Sequence, residues 1–173
     1  MANLALIYPD ISSEDYQKIQ SIRKQHDSRY FDVVEPHITL VFSTDKITAD
    51  ELVTHVGEKL AGIKPFKLTF DSAKAVEDDS KDFYHAFLIP SNGFNEINQI
   101  HDELYTGVLK SELRHDIPFI PHLGIGTGSK ADIDELVSQL NDSKILIEGI
   151  AKKITVVQYD GTLVSNHLSV SLS

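Results

Sequence analysis

The sequence predicts an α+β fold: two pseudo-symmetric lobes of antiparallel sheet, with helices on the outside and a central cleft. Three observations predict it. Strand-like and helix-like segments are mixed along the chain instead of alternating as βαβ units. Neighbouring strands are joined by turns too short for a parallel crossover. Two stretches about 85 positions apart also repeat one another in residue type and in the order of surrounding elements. The 173 residues suffice for one bilobed domain over 1–173 with a sizeable interior.

Each element follows from local pattern. Residues 3–8 (NLALIY) read as a strand ending at Pro9. Over 13–26, Tyr16, Ile19 and Ile22 recur at i, i+3 and i+6, the period of a helix. Residues 35–42 (EPHITLVF) read as a strand with Ile38, Leu40 and Phe42 facing the core and His37, Thr39 and Val41 on the other side. Thr48 and Glu51 form a capping box for a helix to about residue 62, whose apolar face is Leu52, Val53, Val56 and Leu60. Strands over 66–76 and 83–89 flank the acidic turn EDDSKD. One long helix is expected over 93–113, carried by Ile97, Ile100, Leu104, Val108 and Leu109. FIPHLGIGT (119–127) reads as a strand, Ile133, Leu136, Val137 and Leu140 mark a short helix, and strands over 144–159 and 162–171 close the chain.

Composition narrows the function classes. Hydrophobic residues make up 41% and charged residues 24%, ordinary for a globular protein. No apolar run approaches the ~18 residues of a membrane span, and the N-terminus lacks the basic flank of a signal peptide. There is no cysteine, hence no disulfide framework and no thiolate site, and a cytoplasmic location is expected. The net charge of −10 disfavours tracking along a long nucleic acid, which needs many Lys and Arg contacts to phosphate. A small anionic ligand in a locally basic pocket remains compatible with it. No His-x-His, His-Glu-x-x-His or carboxylate cluster is present, so neither a metal nor another cofactor is expected. GIGTG (124–128) lacks the full dinucleotide-binding spacing, because Ser129 stands where the last glycine belongs. Its glycines read instead as places where a phosphate or a crossing element comes close to the backbone.

The repeat singles out specific residues. RYFDVVEPHITLVF (29–42) aligns without gaps on RHDIPFIPHLGIGT (114–127). Arg29 meets Arg114, Pro36 meets Pro121, His37 meets His122, and Thr39 meets Gly124. Upstream, ALIYP (5–9) resembles FLIP (87–90), with a helix between that strand and the histidine strand in both halves. Two such strands on adjacent central positions of the sheet would bring both imidazoles to one cleft. Imidazole suits acid–base work near neutral pH because its ordinary pKa is ~6.5.

His37-Ile-Thr39-Leu and His122-Leu-Gly124-Ile also resemble the paired H-x-T/S-hydrophobic motifs of the two-histidine (2H) phosphoesterase superfamily, which includes the 2′-5′ RNA ligase-like proteins and cyclic nucleotide phosphodiesterases. The resemblance spans nearly the whole chain and departs from the family pattern at Gly124. It implies a metal-independent phosphodiesterase that acts on a small RNA end or nucleotide bearing a 2′,3′-cyclic phosphate or a 2′-5′ linkage, with reverse ligation as a further activity. His37 and His122 are then the catalytic pair and Thr39 donates to a non-bridging oxygen. Gly124 occupies the matching position, and Arg29 and Arg114 supply charge at the cleft rim. The expected partner is a small nucleotide or RNA end, with no long nucleic acid, no membrane and a monomeric protein. The alternative is a non-catalytic nucleotide- or RNA-end-binding protein with a degenerate second motif. His26, His55, His101 and His115 read as ordinary surface residues, and His85 as facing either cleft or core.

Overall fold

The computed structural model describes residues 1–173. In chain order its elements are β1 (Ala2–Ile7), β2 (Asp10–Ile11), α1 (Ser13–His26), β3 (Ile38–Thr44), α2 (Ala49–Lys59), β4 (Phe66–Glu77), β5 (Tyr84–Asn92), α3 (Phe94–Leu104), β6 (Leu123–Gly128), α4 (Lys130–Asp142), β7 (Ile147–Ala151), β8 (Lys153–Tyr159) and β9 (Val164–Ser171). A four-stranded sheet has the order β3-β1-β8-β9 and a five-stranded sheet the order β2-β7-β4-β5-β6. Every pairing is antiparallel, and one cluster of 32 buried residues joins the sheets to the helices.

Local chemistry sets the helix starts. Ser12 accepts a hydrogen bond from the Asp15 backbone at α1, and Ser129 does the same from Asp132 at α4. Thr48 and Glu51 close a reciprocal capping box at α2, as their spacing requires. The long helix expected over 93–113 is broken. α3 stops at Leu104, Thr106 donates its hydroxyl to the Glu103 carbonyl, and Gly107 takes φ +58. A separate 3-10 helix, Gly107–Glu112, follows. The apolar period continues through this point, but the left-handed glycine cannot continue the helix.

The expected single strand over 144–159 is two strands in different sheets. Ala151 pairs with Phe66 in one sheet, and Lys153 pairs with Ser171 in the other. Lys152 is the corner, its carbonyl taken by the Leu172 amide. A continuous apolar run cannot show that its two ends serve different layers.

The pseudo-symmetry is deeper than the sequence identities. In β1–β3, Ile7, Leu6 and Ala5 oppose Ile38, Thr39 and Val41, leaving Leu40 as an extra residue. In β5–β6, Leu88, Phe87 and Ala86 oppose Leu123, Gly124 and Gly126, leaving Ile125 extra. The same bulge therefore sits at the same place in both halves, and bulges re-aim the residues beyond them. This corrects two expectations. Strict alternation places Val41 with His37 and Phe42 in the core; past the bulge Val41 is fully buried and Phe42 is 43% exposed. The histidine strands are also not adjacent central strands, because β3 and β6 are edge strands of two different sheets.

Candidate functional site

The approach to His37 is organised by one buried cation. Arg23, on α1, donates from Nε to Asp27 (3.2 Å), from Nη1 to Gln20 (3.0 Å), and from Nη2 to the carbonyls of Tyr30 (3.0 Å) and Val34 (2.8 Å). Arg23 and Asp27 are both buried, so the guanidinium finds its charge partner and carbonyl acceptors inside the protein. It thereby shapes the turn between α1 and buried Pro36.

The two histidines have the same second contact. Nδ1 of His37 lies 2.8 Å from the Glu35 carbonyl, and Nδ1 of His122 lies 2.6 Å from the Ile120 carbonyl. A carbonyl oxygen only accepts, so Nδ1 carries the hydrogen in both rings. In the neutral ring Nε2 is then a bare lone pair. No sealed side-chain nitrogen or oxygen lacks a partner, so both Nε2 atoms, which make no protein hydrogen bond, open to solvent in the cleft. Burial pushes each imidazole down to about 4, against a smaller upward pull from its carbonyl partner. For His122 the positive charge of protonated His37 and His85 adds to the fall.

A cavity of about 890 Å³ contains the site. All six residues singled out by the sequence line it: His37, Thr39, His122, Gly124, Arg29 and Arg114. The arginines differ. Arg114 is held by both oxygens of Asp116 (2.9 and 2.7 Å) and by Asp79 (3.4 Å). Arg29 makes no ion pair and lies over the Phe83 ring, 3.9 Å from its centroid.

Gly124 and Gly126 have opposite reasons to be glycine. A Cβ on Gly124 would meet nothing within 4 Å, so its missing side chain enlarges the cleft. A Cβ on Gly126 would come within 2.9 Å of Leu136 Cδ2 and 3.4 Å of the Cβ atoms of Ala86 and His26. Gly126 is thus the close-packing glycine of the GIGTG stretch.

Other histidines fall differently from expectation. His55 and His101 are buried, not surface residues. His55 Nε2 bonds the Leu104 carbonyl at 2.8 Å, between α2 and α3. His101 stacks on Phe119 at 3.7 Å and, like exposed His115, lines the cleft. His85 also lines it, with Nε2 2.7 Å from Asp78 Oδ1. Its place was readable only once register matched Phe87 to Leu6, which puts His85, two residues back on the same face, where the first half has Leu4. Phe87 is packed between His122 (3.5 Å between ring centroids) and His85 (5.1 Å). No set of three or more His, Cys, Asp or Glu side chains is arranged to hold a metal ion, and no helix is long and apolar enough to cross a membrane.

Comparison with known proteins adds the family. Solved structures share the fold at low identity. E. coli LigT complexed with 3′-AMP is 16% identical with a TM-score of 0.64, covering 100% of this chain and 99% of its own. Kluyveromyces marxianus Usb1 is 8% identical at TM-score 0.58, covering 99% and 98%. TT0787 of Thermus thermophilus is 14% identical at 0.60, covering 99% and 98%. No curated protein matches the chain at a significant level of sequence similarity. The model of the 2′-5′ RNA ligase superfamily matches residues 9–163, and with the paired histidine motifs in one cleft the chain belongs to that superfamily of 2H phosphoesterases.

Proposed function

We propose that this protein is a metal-independent phosphodiesterase that opens a 2′,3′-cyclic phosphate, or a related 2′-5′ linkage, on a nucleotide or short RNA end. The observation that carries the reading is the matched pair of imidazoles. Each is fixed through Nδ1 to the carbonyl two residues before it, and each offers Nε2 to the same cavity.

The chemistry requires one base and one acid. One Nε2 takes a proton from water as the water oxygen bonds to phosphorus. The other ring, as imidazolium, gives its proton to the 3′ oxygen as the P–O3′ bond breaks, leaving a 2′-phosphate and a free 3′ hydroxyl. With both rings held at about 4, both are neutral in the empty cleft at pH 7. The anionic substrate raises the proton affinity of a ring beside it and so supplies the acid. Thr39 Oγ1 donates to a non-bridging oxygen where charge builds, and Arg29 adds positive charge at the rim. With a 5′ hydroxyl in place of water, the same attack breaks P–O3′ of the cyclic phosphate and forms a 2′-5′ linkage, the base taking the hydroxyl proton and the acid protonating the 3′ oxygen.

The second reading is a nucleotide- or RNA-end-binding protein without turnover, favoured by Gly124, which offers no hydroxyl where the first motif has Thr39. Turnover of nucleoside 2′,3′-cyclic phosphates in the presence of EDTA separates the two. His37→Ala and His122→Ala should each lower kcat ~10²–10⁴-fold. Binding without turnover in the wild type selects the second reading.

A further inference from the structure

The two halves share register and bulge from Ile7 and Leu88 to Ala5 and Ala86, beyond which β1–β3 alone shifts again. Counting along the strands, they differ chemically at three cleft positions: Thr39 against Gly124, Leu6 against Phe87, and Leu4 against His85. The second half therefore carries an extra imidazole where the first carries an aliphatic side chain. Tyr30, Phe83 and Phe87 surround it, with ring centroids 6.4, 4.9 and 5.1 Å away. The Arg29 guanidinium lies over the far ring, Phe83. Rings thus run from His122 through Phe87 and His85 along one wall of the cavity, and Phe83 behind them carries Arg29, which lines the cavity too.

We infer that His85 and Arg29 form a second anion subsite, which receives the phosphate group next to the one held between His37 and His122. The inference deepens the proposed function and rests on it for the position of the first phosphate. Asp78 fixes the imidazole. Burial raises the Asp78 carboxyl, but hydrogen bonds from Ser80 and His85 outweigh this and hold it at about 2, so it is an acceptor only. His85 Nε2 therefore carries the hydrogen of the 2.7 Å bond. Nδ1 has no protein partner and is not sealed from solvent. As an imidazolium paired with Asp78, the ring donates from Nδ1 to the anion while the carboxylate balances its charge.

The surrounding charge supports an anion despite the acidic chain. The acids that line this part of the cleft are already engaged: Asp27 by Arg23, Asp79 by Arg114, Glu77 by Lys81 and Tyr84, and Asp78 by His85. Arg29 alone among the three arginines has no acid partner. His85 and His122 are separated by the one Phe87 ring, a spacing that suits two successive phosphates and not two oxygens of one.

The test is binding, so it does not depend on turnover. Affinities of a nucleoside 3′,5′-bisphosphate and of the matching 3′-monophosphate are measured by titration calorimetry on wild type, His85→Leu and Arg29→Leu. Wild type should prefer the bisphosphate by roughly tenfold or more, the usual worth of one charged hydrogen bond. Each variant should lose most of that preference, and His85→Gln should retain part of it through its amide donor. Equal affinities in wild type, or a preference unchanged in both leucine variants, would overturn the subsite. Failure of the proposed function looks different: cyclic phosphates would not turn over, whatever the bisphosphate ratio.

Discussion

Leu40 and Ile125 are the same structural residue twice: each is the extra member of a bulge, one in β3 and one in β6. Both are fully buried. The residue before each, Thr39 or Gly124, lines the cleft, and the histidine two further back does too. A bulge so placed lets a strand give one residue to the core and return the next position to it as well, as buried Val41 and Gly126 show. The chemistry at the mouth of each strand is therefore backed by a doubled apolar anchor.

Gly124→Ser should raise kcat on a small 2′,3′-cyclic phosphate by roughly ten- to a hundredfold with little change in KM. The new hydroxyl regains a hydrogen bond to a charged oxygen, worth about 1.5–3 kcal/mol. The backbone accepts it, since a Cβ there has open space and φ is not in the left-handed region. Steady-state kinetics check this, and loss of nucleotide binding in the variant would show that the open space serves a bulkier ligand. Gly126→Ala is the control for packing. It forces Leu136 aside and should cost about 1–2 kcal/mol, read as a lower Tm, while Gly124→Ala leaves Tm unchanged.

The pH behaviour follows from the two depressed imidazoles. Their folded values, about 4, lie below the ordinary 6.5, so the unfolded chain binds more protons between those limits. Stability from these groups is present above pH 6.5 and is lost as pH falls towards 4. A His37→Asn/His122→Asn double variant should flatten the urea midpoint over that window; an unchanged slope would mean the rings are not desolvated. The same values place the optimum of kcat/KM, which reports the free enzyme, on the acid side of neutrality. The optimum of kcat should lie higher, because bound phosphate holds the proton on one ring.

Arg23→Leu should be among the most damaging substitutions. It leaves Asp27 charged and buried and strands the carbonyls of Tyr30 and Val34, a loss of about 3–5 kcal/mol by comparison with other broken buried pairs. Chemical denaturation measures it. Where the variant still folds, kcat should fall with it, because the turn that leads to His37 is no longer held.

Much of this architecture is legible in the chain because hydrophobic period and capping chemistry are local. The bounds of α1, the capping box at Thr48 and the 29–42/114–127 repeat all come from such patterns. What escapes is non-local. Nothing in ILIEGIAKKITVVQY marks Lys152 as a change of sheet, since both strands are equally apolar. The bulges are invisible because Leu40 and Val41 are interchangeable in a hydrophobic pattern, and with them goes the placement of Phe42. Arg23 looks like any charged residue of an amphipathic helix until its carbonyl partners arrive from the next turn. His85 gains meaning only when register matches Phe87 to Leu6 and so puts His85, two residues back, on the cleft face.

The corner at Lys152 has a mechanical consequence. The chain passes directly between the two sheets twice, from Ile7 to Asp10 and from Ala151 to Lys153, and the two crossings are pinned to each other by the Lys152–Asp10 ion pair. Links of one and two residues have no slack. The two sheets are thus joined along one seam, where links this short restrain one sheet from sliding past the other. The opposite wall of the cavity has no such seam: the segment 113–121, which lines it through Leu113, Arg114, Ile117 and Phe119, belongs to neither sheet.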